Sequence, residues 1–395
     1  MKYINRLLIV SVLFIWSCSK SETDPQIDPN GKLVSVNFIG KITKAEIVTK
    51  AQEIMGPQAV LLSGLLQNDV NYYKISYKTT TTDGRELQAS GGLMLPISSE
   101  NSPLVSIQHG TIFEETDAPS YFKDGREGLL GIVMASAGYH TVMPDYVGYG
   151  DSKAEPHPYE HGEGLAVPVV DLLFAFKEYA KKENVKWNNN VLLGGYSAGG
   201  YATLAAQKLL EEKYSADFKV KATSCGAGAY NKSLLLEEFI NNTTSGNASH
   251  NRSYIWVLQT YNRIYKLNRP IADFFKEPYA TQIAKDGHNV SISGSFNTLL
   301  NPAFIQSYKD GKETKIVEVF KANDLVNWKT NISTLLIHGD ADTYVPYINA
   351  TTAYQGLKAA GSPNVTLETV PGGTHESSIT TFIFQSYALF ANNRN

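Results

Sequence analysis

The segment Val191-Leu192-Leu193 runs directly into Gly194-Gly195-Tyr196-Ser197-Ala198-Gly199-Gly200, and an Ala/Leu-rich stretch from Tyr201 to Leu210 follows at once. Gly195-x-Ser197-x-Gly199 therefore stands between a predicted strand and a predicted helix. Such a turn is so tight that side chains at the flanking positions collide, which explains glycine on both sides of the serine. The serine itself is held in a strained conformation with its oxygen above the sheet. The helix that starts behind it aims its dipole and free N–H groups at the same point. At ordinary glycine and serine frequencies the five-residue pattern arises by chance roughly 0.1 times in a chain this long. Its strand–turn–helix setting makes chance rarer still, so Ser197 is the leading candidate nucleophile.

The surrounding sequence repeats the same rhythm. Tyr73, Ile75 and Tyr77 alternate with polar residues, Thr82-Asp83-Gly84 follows, and Leu87 to Leu95 completes a predicted hairpin. Strands are predicted at Leu104–Ile107, His140–Met143, Val191–Leu193, Val220–Thr223, Thr334–Ile337 and Val365–Val370. Helices are predicted at 43–55, Leu129–Ala137, Gly164–Tyr179, Tyr201–Leu210, Tyr347–Ala360 and Thr380–Ala391. Alternation of this kind gives an α/β fold, a mostly parallel sheet covered by helices on both faces. Between 231 and 330 the strands stop and a helical pattern rich in Asn, Tyr, Phe and Ile takes over. One α/β core, residues 35–230 and 331–395, interrupted by an insertion at 231–330, fits better than two domains in tandem.

Several classes of function are excluded early. The 35 Lys+Arg against 38 Asp+Glu leave no basic footprint for nucleic acid. The two cysteines, Cys18 and Cys225, are not a C-x-x-C pair, and no H-E-x-x-H or P-loop motif occurs. His157 and His161 flank Glu160, but Pro158 breaks a helical face and no third ligand is in view, so no metal is expected. Cys225 is expected to be a buried structural thiol. At the start of the chain, Lys2 and Arg6 precede an apolar run of ten residues, Leu7 to Trp16. A membrane span needs roughly 20, so this run reads as the core of a signal peptide. Ser17-Cys18 behind it resembles a bacterial lipoprotein cleavage box. The resemblance implies loss of residues 1–17, a lipid on Cys18 as the only membrane attachment, and export to the cell envelope. Residues 18–34, polar with two prolines, read as a tether.

A serine needs a base, and a base needs an orienting carboxylate. Of the eight histidines, His250, His288, His338 and His375 follow Ser197. His250 and His288 fall in the insertion. His375 lies in Pro371-Gly372-Gly373-Thr374-His375-Glu376, just past the last predicted strand. His338-Gly339-Asp340-Ala341-Asp342 ends the strand before it and offers Asp340 or Asp342 as the acid. Both loops face the carboxyl edge of the sheet, where Ser197 sits. His338-Gly339-x-x-Asp342-x-x-Val345-Pro346 resembles the acid loop of the α/β-hydrolase superfamily. That resemblance selects Asp342, leaves Asp340 as a turn-stabilising carboxylate and His338 as a loop support, and matches the chain order Ser197, Asp342, His375.

The superfamily likeness extends to Gln108-His109-Gly110-Thr111, which is similar to its oxyanion loop. It implies that the backbone N–H groups of Ala198 and Thr111 hold the oxyanion, with Gly110 or Ile112 as alternatives to Thr111. Tyr77-Lys78-Thr79-Thr80, Ala89-Ser90-Gly91-Gly92-Leu93, and Pro144-Asp145-Tyr146-Val147-Gly148-Tyr149-Gly150-Asp151-Ser152 resemble the secreted lipase family. In that family the insertion occupies the lid position. The expected activity is cleavage of a carboxylic ester, in a small molecule, lipid or glycan, through an acyl-enzyme and with no cofactor. A serine exopeptidase of the same fold is the alternative, for which Glu237 and Glu238 would bind a substrate ammonium. A non-catalytic surface binding protein is a third reading, against which the complete set of Ser, His and Asp argues. The aromatic stretch Tyr254, Ile255, Trp256, Tyr261, Ile264 and Tyr265 is expected to build the interior of the insertion rather than an acyl groove.

Overall fold

A computed structural model of the chain describes residues 31–56, 64–123 and 126–395. The expected signal peptide and Cys18 lie outside the described residues. Nine strands form one twisted sheet in the order β1-β2-β3-β5-β4-β6-β7-β8-β9. They are β1 (Leu33–Ile42), β2 (Val70–Thr80), β3 (Glu86–Pro96), β4 (Ser102–Gln108), β5 (His140–Pro144), β6 (Trp187–Tyr196), β7 (Lys219–Gly226), β8 (Ser333–Gly339) and β9 (Val365–Val370). The first three pair antiparallel, and β5, β4, β6, β7, β8 and β9 are parallel neighbours. The expected α/β fold, a mostly parallel sheet with helices on both faces, is therefore the observed one.

Burial explains which strands were legible. β4 and β5 are buried along their whole length, as continuous apolar runs in a covered parallel sheet should be. β1, by contrast, is an edge strand buried only at its two ends. It carries no period-two pattern, and its start at Leu33 shortens the tether expected to reach residue 34. The hairpin between β2 and β3 turns at the expected Thr82-Asp83-Gly84, with Gly84 at φ 83°.

The core helices are α1 (Lys44–Met55), α2 (Arg126–Ser136), α3 (Gly162–Lys182) and α4 (Ala198–Lys213), with α11 (Ile348–Ala359) and α12 (Ile379–Asn392) after β8 and β9. The chain between β7 and β8 adds six more. These are α5 (Lys232–Asn241), α6 (Ala248–Ile264), α7 (Ile271–Phe274), α8 (Tyr279–Asp286), α9 (Pro302–Lys309) and α10 (Thr314–Ala322), with no named strand among them. Tyr254, Ile255, Trp256 and Tyr261 are buried. They belong to one continuous apolar cluster with Ala198, Tyr201 and Leu336 of the sheet and its helices. The inserted helices thus share a core with the sheet instead of enclosing one of their own.

Polar anchors fix that junction. Lys232, the first residue of α5, is fully buried and ion-paired with buried Glu160, whose backbone stands at φ 57° in front of α3. The Lys232 ammonium also lies 3.7 Å from the centre of the Tyr201 ring on α4. Tyr261 on α6 donates to the Glu160 carbonyl at 2.7 Å, and Tyr201 donates to the Asn323 carbonyl at 2.8 Å.

Candidate active site

Ser197 occupies the turn between β6 and α4 at φ 60° and ψ −126°, a left-handed conformation that costs on the order of 1–3 kcal/mol for a non-glycine residue. Its neighbours explain how the turn persists. A Cβ on Gly195 would collide with the Gly199 carbonyl, and one on Gly199 with the Gln108 carbonyl. The Ser197 N–H donates to the Gly226 carbonyl of β7 at 2.8 Å, which pins the turn to the next strand.

His375 follows β9 and Asp342 follows β8, so both stand at the same carboxyl edge as Ser197. His375 Nε2 is 2.9 Å from Ser197 Oγ, and His375 Nδ1 is 2.7 Å from Asp342 Oδ2. Only one tautomer satisfies both contacts: Nδ1–H donates to the carboxylate and Nε2 accepts from the serine hydroxyl. The two loops are locked together, because a Cβ on Gly339 would strike the Gly373 carbonyl and the Ser378 hydroxyl. The Ala341 N–H donates to that same Gly373 carbonyl at 3.1 Å. Tyr196 donates to the His375 carbonyl at 2.6 Å and steadies the histidine from below.

The carboxylate of Asp342 is buried and fully employed. Oδ1 accepts from the N–H groups of Tyr344 at 2.8 Å and Val345 at 2.9 Å. Oδ2 accepts from His375 and, at 3.2 Å, from His338 Nε2, which also donates to the Val345 carbonyl at 2.8 Å. Burial works to raise the Asp342 pKa. Hydrogen bonds from His338 and His375 outweigh it and hold the carboxyl well below its ordinary range. Asp340 is exposed and accepts from the Gly372 N–H at 2.6 Å, a turn-stabilising contact.

The loop after β4 lies against the Ser197 turn, since Gly199 packs on the Gln108 and His109 carbonyls. The loop is braced from the β5 side: Tyr146 donates to the His109 carbonyl at 3.3 Å and Tyr149 to the Ile112 carbonyl at 2.9 Å. His109 is buried and bonded to the Gly110 and Asp145 carbonyls, a support role. The segment around Asp145 is scaffolding as well. Asp145 accepts from Ser90 at 2.5 Å and the Ser120 N–H at 2.8 Å, and Asp151 accepts from Ser76 at 2.6 Å.

The remaining candidates are employed elsewhere. His157 Nδ1 donates to the Val147 carbonyl at 2.7 Å, and His161 Nδ1 accepts from the Gly164 N–H at 2.9 Å as the cap of α3. Among the described residues no group of three His, Cys, Asp or Glu could hold a metal ion. Cys225 is buried, and burial pushes its thiol pKa up, away from reactivity. Glu237 is exposed, while Glu238 accepts from Asn242 at 2.8 Å. Glu238 lines a cavity of about 270 Å³ together with Phe239, Tyr254 and Thr343.

Sequence reasoning missed the side chains that surround Tyr344 on the acid loop. The Tyr344 ring meets His375 edge-on at 4.8 Å and stacks on His250 of the insertion at 4.0 Å. Tyr159 stacks on Trp256, with ring centres 4.2 Å apart, and Ser253 bonds the Tyr344 hydroxyl at 2.5 Å. Tyr344 fills an unspecified position of the acid-loop pattern, and nothing in the local sequence marks Ser253.

A strained serine between β6 and a helix, with its histidine and aspartate on the next two strand-end loops, defines the α/β-hydrolase class. Within that class the chain belongs to the secretory lipase family, whose model matches residues 126–382. It is accordingly a carboxylic ester hydrolase. No curated protein sequence matches it. A Legionella pneumophila protein provisionally described as a hydrolase superposes with a TM-score of 0.82 at 25% identity, over 91% of this chain and 98% of that one. The rice cell wall degrading esterase LipA from Xanthomonas oryzae gives 0.77 at 22% identity, over 92% and 97%. Candida antarctica lipase A gives 0.64 at 15% identity, over 92% and 82%. The last two establish the fold alone. Among the described residues no helix is long and apolar enough to cross a membrane.

Proposed function

We propose that Ser197 is the nucleophile of a two-step acyl transfer. Ser197 Oγ attacks the ester carbonyl while His375 Nε2 takes its proton. Asp342 fixes the tautomer of His375 and stabilises the imidazolium that forms. The backbone N–H groups of Ala198 and Thr111 hold the oxyanion of the tetrahedral intermediate. The alcohol leaves with the proton from His375, and water repeats the sequence on the acyl-enzyme. The chemistry requires no cofactor. The observation that carries this reading is the unbroken contact from Ser197 Oγ through His375 to Asp342, 2.9 Å and 2.7 Å, on three loops of one sheet edge.

Residues 231–330 act as a lid that selects the substrate, a small-molecule, lipid or glycan ester. The enzyme is exported, with residues 1–17 removed and Cys18 lipidated, and its tether ends where β1 begins. The family's secretory character supports export. Hydrolysis of p-nitrophenyl acetate, butyrate, octanoate and palmitate, beside aminoacyl-p-nitroanilides, tests the activity. Ester turnover is expected, and Ser197→Ala is expected to lower kcat at least about 10⁴-fold. Anilide turnover with weak ester turnover would instead favour a serine exopeptidase with Glu238 as the ammonium site. Ester turnover that survives Ser197→Ala would overturn the assignment.

A further inference from the structure

The acid loop is held from the insertion. Asp342 is buried, yet Asp340, Ala341 and Thr343 around it are exposed, so the loop has little packing of its own. Tyr344 ties it down. Three residues of α6, at the i, i+3 and i+4 spacing of neighbours on one helix face, hold Tyr344. His250 stacks on its ring, with centres 4.0 Å apart and planes 8° apart. Ser253 bonds its hydroxyl at 2.5 Å, and the Tyr254 hydroxyl donates to its carbonyl at 2.6 Å. All three are buried. His250 is fixed in turn by Ser245, whose Oγ lies 2.7 Å from Nδ1, and Tyr254 packs on Phe239 of α5 at 4.4 Å.

The remaining groups of Tyr344 meet the reacting set. Its N–H donates to Asp342 Oδ1 at 2.8 Å, and its ring meets His375 edge-on with centres 4.8 Å apart. The next N–H, that of Val345, donates to the same Oδ1 at 2.9 Å. The Tyr344 carbonyl and the Val345 N–H belong to one planar peptide group. Holding the carbonyl from α6 therefore aims the N–H at the carboxylate. Burial raises the pKa of Tyr254, so its hydroxyl keeps the proton that it donates.

We propose that Tyr344 is a positioning residue through which α6 sets the Asp342–His375 pair. The inference rests on the reading of Ser197, His375 and Asp342 as the reacting set. It extends that reading, because it makes the insertion a support for the base as well as a cover over the site. Lifting α6 away would free the peptide group between Tyr344 and Val345. Both backbone donors to Asp342 would lose their aim, and His375 would lose a ring contact. The error would appear at His375 Nε2, the atom that takes the serine proton. α6 is therefore docked when that proton moves.

The test is steady-state hydrolysis of p-nitrophenyl butyrate by the full-length enzyme. Tyr254→Phe removes only the hydroxyl that holds the Tyr344 carbonyl. It is expected to lower kcat about 3- to 10-fold with KM nearly unchanged. In an Asp342→Asn background it is expected to add nothing, because it acts through that carboxylate. Tyr344→Ala is expected to lower kcat roughly 30- to 100-fold, and Tyr344→Phe, which keeps both ring contacts, to recover most of that loss. The Nδ1 proton of His375, hydrogen-bonded to Asp342, is expected to give a far-downfield proton resonance that shifts or broadens in Tyr254→Phe. Thermal unfolding of each variant separates misfolding from lost positioning, and Tyr254→Phe decides alone if Tyr344→Ala does not fold. A folded Tyr254→Phe enzyme with kcat within about two-fold of the parent and the resonance unmoved overturns the inference. So does a loss confined to KM, or one that persists undiminished beside Asp342→Asn. Loss of turnover in Ser197→Ala beside an unaffected Tyr254→Phe sinks this inference alone. Turnover retained in Ser197→Ala sinks the reading beneath it.

Discussion

The carboxyl edge of the sheet and the inserted helices meet at Tyr344 beside His375, yet they are built on opposite rules. At the edge, each candidate group is placed by its own short segment. A strand ends, a glycine admits a neighbouring backbone, and the side chain follows within a few residues: Ser197 between Gly195 and Gly199, Asp342 after Gly339, His375 after Gly373. In the insertion nothing is local. Ser253 and His250 reach Tyr344 from a helix whose position depends on an apolar cluster shared with the sheet. Placement by short segments leaves a mark in sequence, and placement by shared packing does not.

The sharpest way to break this contrast is at the acid loop, where two aspartates lie two residues apart. Asp342 accepts four hydrogen bonds, two of them from histidines, while Asp340 only closes a turn. Asp342→Asn is expected to lower kcat by about 10³- to 10⁴-fold, because an amide there favours the wrong tautomer of His375. Asp340→Asn is expected to stay within about 3-fold, as for a surface change away from the chemistry. The two variants, assayed side by side on p-nitrophenyl butyrate, check this. Comparable losses in both would mean that the loop as a whole, not one carboxylate, sets the histidine.

The insertion's attachment provides the next largest effect. Lys232 and Glu160 are both buried and ion-paired, with Tyr201 beneath the ammonium. Removing one partner leaves the other charge buried and unpaired, which costs roughly 3–5 kcal/mol. Lys232→Met is therefore expected to lower the urea midpoint strongly, and adding Glu160→Gln is expected to restore part of it. If Lys232→Met instead loosens the inserted helices alone, protease cleavage will fall within 231–330 while the sheet stays resistant.

How far the sequence was legible follows the same division. The strands buried on both faces and the helices between them announced themselves by apolar runs, and the strained serine by its glycines. β1 did not, because an edge strand buried only at its ends has no alternation to read. The structural use of His338 was expected from its place in the acid-loop pattern. Tyr159, Tyr344, His250 and Ser253 were not legible as a group. Their meeting depends on the docking of α6, and docking of packed helices is a property of the whole core rather than of any window of residues.

Acid is expected to act first at the junction of the two regions. His157, His161 and His288 are packed at or beside it: Trp256 of α6 stacks on His288 at 4.0 Å and approaches His157 at 5.4 Å, and His161 caps α3 next to Glu160. Burial lowers all three pKa values, that of His157 to about 3 and those of His161 and His288 to about 4. The ordinary value is near 6.5, so between about pH 6.5 and 4 the unfolded chain binds protons that the folded chain refuses. Stability from these groups is complete above about pH 6.5 and falls as pH drops, by up to about 1.4 kcal/mol per pH unit for each of the more deeply buried His157 and His161 and by less for half-buried His288, whose exposure to solvent screens it. Asp145 and Asp171 oppose this in part. Burial raises their pKa values, so their protonation on acidification favours the folded state. Asp342 enters only lower, because its depressed pKa means that its contribution is lost below the ordinary carboxylate range. Urea midpoints measured from pH 7 to pH 4 should therefore decline from about pH 6.5 downward, and His288→Gln should flatten the upper part of that decline. A midpoint that stays constant to pH 5 would show that these rings take up protons in the folded state, and that the junction between sheet and insertion is wetter than its stacked aromatics imply.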